Sequence, residues 1–179
     1  MVTIPLKHLS TAIFFFLWFL ANGVRVYGAE IPPLTQEPMR VVESYLRAIY
    51  ARDFVEAYRM ISSVDRKVRD LNKYVQQRGP FNGFTLELGR KLSDAVEITT
   101  VQRQETKDRI RLVIRYKVPD PKKLAPLLLN WDQFRLNSLS AGERKQLSGS
   151  IDRKKSDGLL EMSEGEETFE LLKEGNDWR

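Results

Sequence analysis

The sequence contains no cysteine, and its single histidine, His8, lies within the first 28 residues. A chain without cysteine forms no disulfide and has neither a thiol nucleophile nor an N-terminal cysteine for lipid attachment. Residues 29–179 also lack histidine, the commonest general base and a frequent zinc ligand. We therefore predict no metal site and no cofactor, and we name no catalytic residue.

Runs of one charge sign are absent as well. Lysine and arginine number 29 against 24 aspartates and glutamates, which gives a formal net charge of +5. Two of these bases lie in residues 1–28, so the remainder carries 27 bases against 24 acids, a net charge of +3. The charges are mixed along the chain, whereas a nucleic-acid interface needs bases clustered on one face. We predict that nucleic acid is not a partner.

The N-terminus has the organisation of a secretory signal. A polar stretch around Lys7 precedes an uninterrupted apolar run at residues 12–21, and small residues follow. The run is about half the roughly 20 residues of a membrane span. We expect residues 1–28 to be a signal peptide cleaved before Ala29, with Val24 as a second candidate start. The protein is then exported, periplasmic or secreted, and it meets the membrane only through the leader if that stays uncleaved.

A proline-rich linker at residues 29–36 leads into a region of helical pattern. The first helix carries an apolar stripe with spacing typical of an amphipathic helix, formed by Val41, Val42, Tyr45, Leu46 and Ile49. This register predicts that Ile49 is buried and that Arg47 lies off the stripe.

Shorter helices are expected to follow the first. Asp53 and Asp65 lie at helix breaks and are interpreted as capping residues, Ser62 or Ser63 can cap another turn, and so can Asp70. Gly79 and Pro80 end this region. The spacing of Phe84, Leu88 and Leu92 favours one more helix.

After these helices, the spacing of apolar residues changes to the two-residue alternation typical of strands. From Ile110 to Val118, apolar residues alternate with Arg111, Arg115 and Lys117, which predicts a half-buried strand. Residues 96–100 alternate in the same way, and the residues between the two runs are predicted to form a hairpin turn.

Residues 120–158 show no strand alternation and are predicted to be a helical insert. One helix fits the three- and four-residue steps that connect Leu124, Leu127, Leu128, Trp131 and Phe134. Ser140 and Glu143 have the spacing of a capping box that opens a further helix through Ile151. Two strands are then expected, at residues 159–165 and 167–174, with a turn before Trp178.

The order and spacing of these segments resemble the nuclear transport factor two-like (cystatin-like cone) superfamily. The resemblance covers residues 37–179 and rests on "VVESYLRAIYARDFVEAYRMIS", "IRLVIRYKVPDP" and "ETFELLKEGNDWR". Within this superfamily, the segments resemble small exported bacterial domains of unassigned function. It implies a single α+β domain whose curved antiparallel sheet packs around the N-terminal helices as a cone. Since a hydrophobic strand normally follows the last hairpin in this family, we expect the last strand here to be truncated.

The resemblance also directs attention to residues that would line or close such a cone. The candidate ligand-binding residues are Tyr45, Ile49, Tyr58, Tyr116, Trp131 and Phe134. Tyrosines on apolar stripes also serve as core, and the apolar residues around Trp131 could cover the sheet, close over a small apolar ligand, or dock another envelope protein. No residue matches the catalytic sets of the enzymes in this superfamily.

The function predicted from these residues is an exported, non-catalytic binding or scaffolding domain of the bacterial cell envelope. The alternative is a small-molecule enzyme or a carrier of an apolar ligand that uses the cone pocket. The expected partner is an unidentified envelope protein or a small apolar ligand. A homodimer formed through an exposed strand edge is a further prediction.

Overall fold

A computed structural model describes residues 37–179 of the chain. The predicted signal peptide at 1–28, both candidate cleavage sites and the linker at 29–36 lie outside the described residues. The described part begins with five helices: α1 (Pro38–Tyr50), α2 (Phe54–Arg59), α3 (Ser63–Val68), α4 (Leu71–Gln76) and α5 (Gly83–Ser93). The helix expected around Leu88 is therefore confirmed as α5.

The four strands of residues 37–179 form one antiparallel sheet that is not closed, in the order of the chain. They are β1 (Glu97–Glu105), β2 (Arg109–Pro119), β3 (Met162–Glu174) and β4 (Asp177–Trp178). Between β2 and β3 lie α6 (Pro121–Leu124), a 3-10 turn (Leu129–Trp131), α7 (Gln133–Ser138) and α8 (Ala141–Ser156). The α+β class predicted from the sequence is confirmed.

The central strand β2 has the two faces that its alternation predicts. Ile110, Leu112 and Ile114 are at most 2% exposed and form core on the helix-covered face. On the outer face Arg115 pairs with Glu166 of β3 at 3.4 Å and Lys117 with Glu164 at 2.9 Å. Because successive residues of a strand point to opposite sides, apolar packing and water-exposed ion pairs alternate along one segment.

Several helix starts follow the capping chemistry expected from the sequence. The side chains of Asp53, Ser62, Asp70 and Ser140 each accept a hydrogen bond from the backbone three residues on. Asp65 is not a cap itself, but its carboxylate accepts the Ser62 hydroxyl at 2.7 Å. Ser140 and Glu143 form the full capping box.

Two predicted elements are wrong. The single helix expected from Leu124 to Phe134 does not form: α6 ends at Leu124, and Leu129, Asn130 and Trp131 all have positive φ between 49° and 60°. These values lie in the left-handed region, where an α-helix of L-residues does not continue. The two strands expected at 159–165 and 167–174 are instead the single strand β3, which starts at Met162.

The described residues pack into two hydrophobic clusters. The first lies between α1, α2, α4 and the sheet, and its buried members include Val41, Val42, Ala57, Tyr58, Ile110, Ile114 and Leu171. The second is formed by α5 and the segment between β2 and β3, with buried members Phe84, Leu88, Leu92, Leu124, Leu128, Leu136 and Ile151. Each cluster combines residues from several helices and strands, so neither forms until segments distant in the sequence have packed together.

The first helix, α1, contacts the first cluster and also the residues that follow α5 and end β2. Ile49 is half-buried against the first cluster. Arg47 is not a free surface residue, because its guanidinium donates to the carbonyls of Ser93 at 3.1 Å and Val96 at 3.4 Å. At the end of α1, the Tyr50 hydroxyl donates to the Pro119 carbonyl at 2.9 Å. Although Arg47 lies off the apolar stripe, its two carbonyl contacts tie it to the residues that follow α5.

Candidate functional site

Tyr45 lies where α1 crosses the helix-covered face of the sheet. Its ring meets Phe169 of β3 edge to face, with centroids 6.1 Å apart at 74°. The Tyr74 phenol on α4 is near enough to be influenced by it: burial is the main cause of the raised pKa of Tyr74, and the Tyr45 phenol adds to it. Tyr45 is thus packed against the first hydrophobic cluster, with its ring on Phe169.

Tyr116 and Glu167 lie on this same face of the sheet, nearer the end of β2. Tyr116 pairs with Gly165, and a Cβ at residue 165 would stand 2.4 Å from the Tyr116 ring. Glu167 pairs with buried Ile114, so its side chain shares the helix-covered face. Burial raises the pKa of Tyr116, with a further contribution from the Glu167 charge, and burial also raises the pKa of Glu167. The arrangement places a carboxyl group near a phenol.

Tyr58 belongs to the aromatic packing of the first cluster. It is 7% exposed, its hydroxyl donates to the Arg69 carbonyl at 3.2 Å, and its ring lies 5.4 Å from that of Tyr74. Ile49 packs against this cluster too. Four of the six predicted site residues, Tyr45, Ile49, Tyr58 and Tyr116, therefore contact one core.

Trp131 and Phe134 lie elsewhere. Trp131 packs with the second cluster, stacks on Phe81 with centroids 5.4 Å apart, and donates its indole N–H to the Pro121 carbonyl at 3.1 Å. Phe134, on α7, is 83% exposed. The structure thus does not bring the six predicted residues together.

Phe134 borders a shallow depression of about 400 Å³ between the start of α5 and α7. Its lining consists of one aromatic ring, three side-chain amides and one hydroxyl, contributed by Asn82, Gln133, Phe134, Asn137 and Ser138. An exposed ring beside hydrogen-bonding groups is the composition expected of a surface that binds a partner.

The amides of this depression are fixed by bonds to one another and to the backbone. The Asn137 amide nitrogen donates to Asn82 Oδ1 at 2.7 Å, and Asn137 Oδ1 accepts from the Thr85 backbone at 3.0 Å. Gln133 accepts from the Asn82 backbone at 3.0 Å and donates to the Pro80 carbonyl at 3.2 Å. A binding surface built on such a framework loses little freedom when a partner arrives.

Sequence reasoning identified Phe134 but missed Asn82, Gln133 and Asn137. Asn82 occupies the N-cap position of α5, and Gln133 begins α7 just after its cap, Asp132. Polar residues at helix starts are ordinarily interpreted as local capping features. No local signal indicates that these helix starts meet each other.

Residues 37–179 contain neither a metal-binding cluster nor a membrane-spanning helix. Within this range, no group of three histidine, cysteine, aspartate or glutamate side chains is arranged to hold a metal ion. No helix of the described residues is long and apolar enough to cross a membrane.

Comparisons with protein-family models, with curated proteins and with solved structures found no match for this chain. The resemblance to the nuclear transport factor two-like superfamily therefore stays a prediction from the residue pattern.

Proposed function

We propose that the chain is an exported, non-catalytic binding domain of the bacterial cell envelope that docks a partner protein at Phe134. The observation that carries this proposal is the 83% exposure of a phenylalanine beside a rigid amide framework. Exposing a large aromatic side chain to water is unfavourable, and partner docking would remove that cost. The hydrogen bonds among Asn82, Gln133 and Asn137 support the proposal because they hold the surrounding surface in one shape.

The packing of the sheet also favours a binding role over a catalytic one. Ile110 and Ile114 are completely buried and Leu112 is 2% exposed on the helix-covered face. Next to these three residues of β2, core side chains occupy the space in which a cone-shaped enzyme would hold its substrate. A sheet face covered by closely packed core side chains suits a scaffold, which needs a rigid interior and no cavity.

We also propose that the sheet curves into a cone around the N-terminal helices, and that residues 120–158 are a helical insert between β2 and β3. A register shift in β1 between Thr100 and Gln102 supports it, because β-bulges bend and twist the strand that carries them. The contact of Tyr45 with Phe169 places α1 against the sheet, as the family resemblance implies. A flat sheet in crystals of the protein would contradict this part of the proposal.

A small-molecule enzyme or carrier of an apolar ligand is the second candidate function. It is favoured by the neighbouring Tyr116 and Glu167, a phenol and a carboxyl on one face of the sheet. Titration of the protein with a small apolar phenol, followed by NMR, would test it. Shifts at Tyr116 and Gly165 would support this alternative, and shifts confined to Phe134 would contradict it.

Site-specific crosslinking tests the Phe134 site in cells that express the full chain. A photoreactive phenylalanine analogue at residue 134 should give one adduct of defined mass, since this ring faces the partner. The same analogue at Val101, an apolar site on β1 that is 48% exposed, is the matched control. Adducts at both positions, or at neither, would contradict the proposed site, and an adduct of twice the chain mass would identify the homodimer.

Export is tested separately. N-terminal sequencing of the protein from the periplasmic or secreted fraction should begin at Ala29, or at Val24 if the second site is used. Recovery of the intact leader from washed membranes would exclude cleavage at either position.

A further inference from the structure

The three amides in the depression between α5 and α7 have orientations that the backbone determines. Asn137 Oδ1 accepts from the Thr85 backbone N–H at 3.0 Å and from the Thr85 hydroxyl at 3.2 Å. Gln133 Oε1 accepts from the Asn82 backbone N–H at 3.0 Å, and Gln133 Nε2 donates to the Pro80 carbonyl at 3.2 Å. Because a backbone N–H only donates and a carbonyl only accepts, each of these two amides has one possible orientation.

The orientation of Asn82 follows from that of Asn137. Asn137 Nδ2 donates to Asn82 Oδ1 at 2.7 Å, so the other end of the Asn82 amide is its nitrogen. Three amides carry six N–H groups, of which these bonds use two, one from Gln133 and one from Asn137. The other four have no acceptor within residues 37–179, whereas each of the three amide oxygens already accepts a hydrogen bond. The depression therefore has an excess of unused donors.

This excess of donors restricts the kind of surface that can cover the depression. The step rests on the proposed function, in which a partner protein docks at Phe134. An N–H group that loses its water on docking and finds no acceptor weakens the complex. The partner must therefore bring hydrogen-bond acceptors to Asn82, Gln133 and Asn137, beside an apolar group that packs on Phe134.

The charges near α7 do not favour a charged acceptor. Between residues 132 and 144, Asp132 and Glu143 offset Arg135 and Arg144. The Arg144 guanidinium also donates to the backbone carbonyls of Leu139 and Asn137. Neutral carbonyl groups are therefore the acceptors that fit this surface.

Proline combines a carbonyl acceptor with an apolar ring. A proline residue has no backbone N–H, so a proline-rich segment presents acceptors without donors of its own. Its extended polyproline II conformation is formed before binding, and its rings pack on aromatic side chains. A sugar suits the depression less well, because each hydroxyl also carries a hydrogen that needs an acceptor, and the amide oxygens are already engaged.

We propose that the partner protein docks at Phe134 through an extended, proline-rich segment. One proline ring packs on Phe134, and neighbouring carbonyls of the segment accept from the free N–H groups of Asn82, Gln133 and Asn137. The match between unused donors in the depression and carbonyls without accompanying N–H groups carries this choice of partner.

An NMR titration of protein purified from cells that express the full chain tests the proposal. The probe is acetyl-hexaproline amide, and it should shift the side-chain NH₂ signals of Asn82, Gln133 and Asn137 together with the ring signals of Phe134. A glycine–serine hexapeptide, hexaglutamate and a trimer of N-acetylglucosamine are the comparison probes, and each should leave these signals in place. No shift with hexaproline, or equal shifts with any comparison probe, would overturn the proposal.

Asn82→Asp removes two of the free N–H groups with little other change. Aspartate keeps an oxygen that accepts from Asn137, and it suits the N-cap position of α5 as well as asparagine does. The variant should bind hexaproline about tenfold more weakly. Asn72→Asp, at an exposed position of α4, makes the same change of charge and should leave binding unchanged. Equal loss in both variants would overturn the proposal. Thermal unfolding checks that Asn82→Asp folds, and Asn82→Ser replaces it if it does not.

Crosslinking in cells separates this inference from the proposed function. The photoreactive analogue at residue 134 is placed in the otherwise unchanged chain and in the Asn82→Asp variant. An adduct that is lost or reduced in the variant alone supports the proposal. Equal yields of the same adduct would overturn the proline-rich segment and leave the Phe134 site standing. No adduct in either chain would overturn the proposed function and this inference with it.

Discussion

The guanidinium of Arg52 lies against the ring of Phe81, 4.8 Å from its centroid. It also lies 5.9 Å from the centroid of the Phe54 ring, and Phe54 belongs to the first hydrophobic cluster. Phe81 in turn stacks on Trp131, which packs with the second cluster. Arg52 therefore connects the two clusters through aromatic contacts, and it also donates to the Arg78 carbonyl at 2.5 Å.

Replacement of Arg52 should therefore lower stability. We expect Arg52→Ala to reduce the free energy of unfolding by about 1 to 3 kcal/mol, because ring contacts and a hydrogen bond are lost together. Arg52→Lys should have an intermediate effect, since it keeps the charge but not the planar group that lies against Phe81. Urea titrations of the three proteins measure this order, and an Arg52→Ala midpoint equal to that of the wild type would contradict it.

The contacts of Arg47 lead to a second prediction. Arg47→Ala should cost about 1 to 3 kcal/mol, because the carbonyls of Ser93 and Val96 lose their charged donor. Ile49→Ala should cost about 2 kcal/mol, the low end for large-to-small core changes, because Ile49 is only half-buried. Arg40→Ala, at an exposed position of the same helix, is the control and should stay within about 0.5 kcal/mol of the wild type. A neutral Arg47→Ala would show that the contacts with Ser93 and Val96 do not stabilise the protein.

Two helical glycines should respond in opposite directions to alanine. A Cβ at Gly89 would stand 2.8 Å from the Ala51 carbonyl oxygen, a backbone atom that cannot move aside without shifting the end of α1. We expect Gly89→Ala to destabilise the protein by about 1 to 3 kcal/mol. A Cβ at Gly149 would meet nothing within 4 Å, so Gly149→Ala should stabilise α8 by about 0.5 to 1 kcal/mol. Thermal melts of both variants check the two signs. A Gly89→Ala protein as stable as the wild type would contradict the close approach of α5 to Ala51, and a destabilised Gly149→Ala protein would contradict the open space at Gly149.

Glu167 should make stability depend on pH. Burial raises its pKa in the folded protein above the ordinary value of 4.5, so the folded state holds its proton over a range in which the unfolded state has lost it. The free energy of unfolding therefore falls as the pH rises through this range. Glu167→Gln should raise the melting temperature at neutral pH, by a small amount because the side chain is still partly exposed, and the gain should vanish below pH 4.5. Glu170→Gln, on the outer face of the same strand, is the matched control, and an equal gain in both variants would contradict the assigned cause.

Features that depend on near neighbours could be predicted from residue order. The faces of β2 follow from strict alternation between Ile110 and Lys117, because a strand points successive side chains to opposite sides. Asp53, Asp70 and the Ser140–Glu143 capping box act over three residues, so their chemistry is complete within a short segment. These signals established an α+β chain and several of its boundaries.

Contacts between distant segments were decided by the tertiary structure. The spacing of Leu124, Leu128 and Phe134 suits a helix, yet a turn of positive φ breaks it, because short separate turns also bring Leu124 and Leu128 into the second cluster. Arg47 reaches Ser93, and Asn137 reaches Asn82 across 55 positions. Side-chain periodicity indicates which face of a helix or strand is apolar. It does not indicate which other helix or strand that face will contact, nor which partner a nearby polar side chain will find. These contacts form only when the helices and strands pack together.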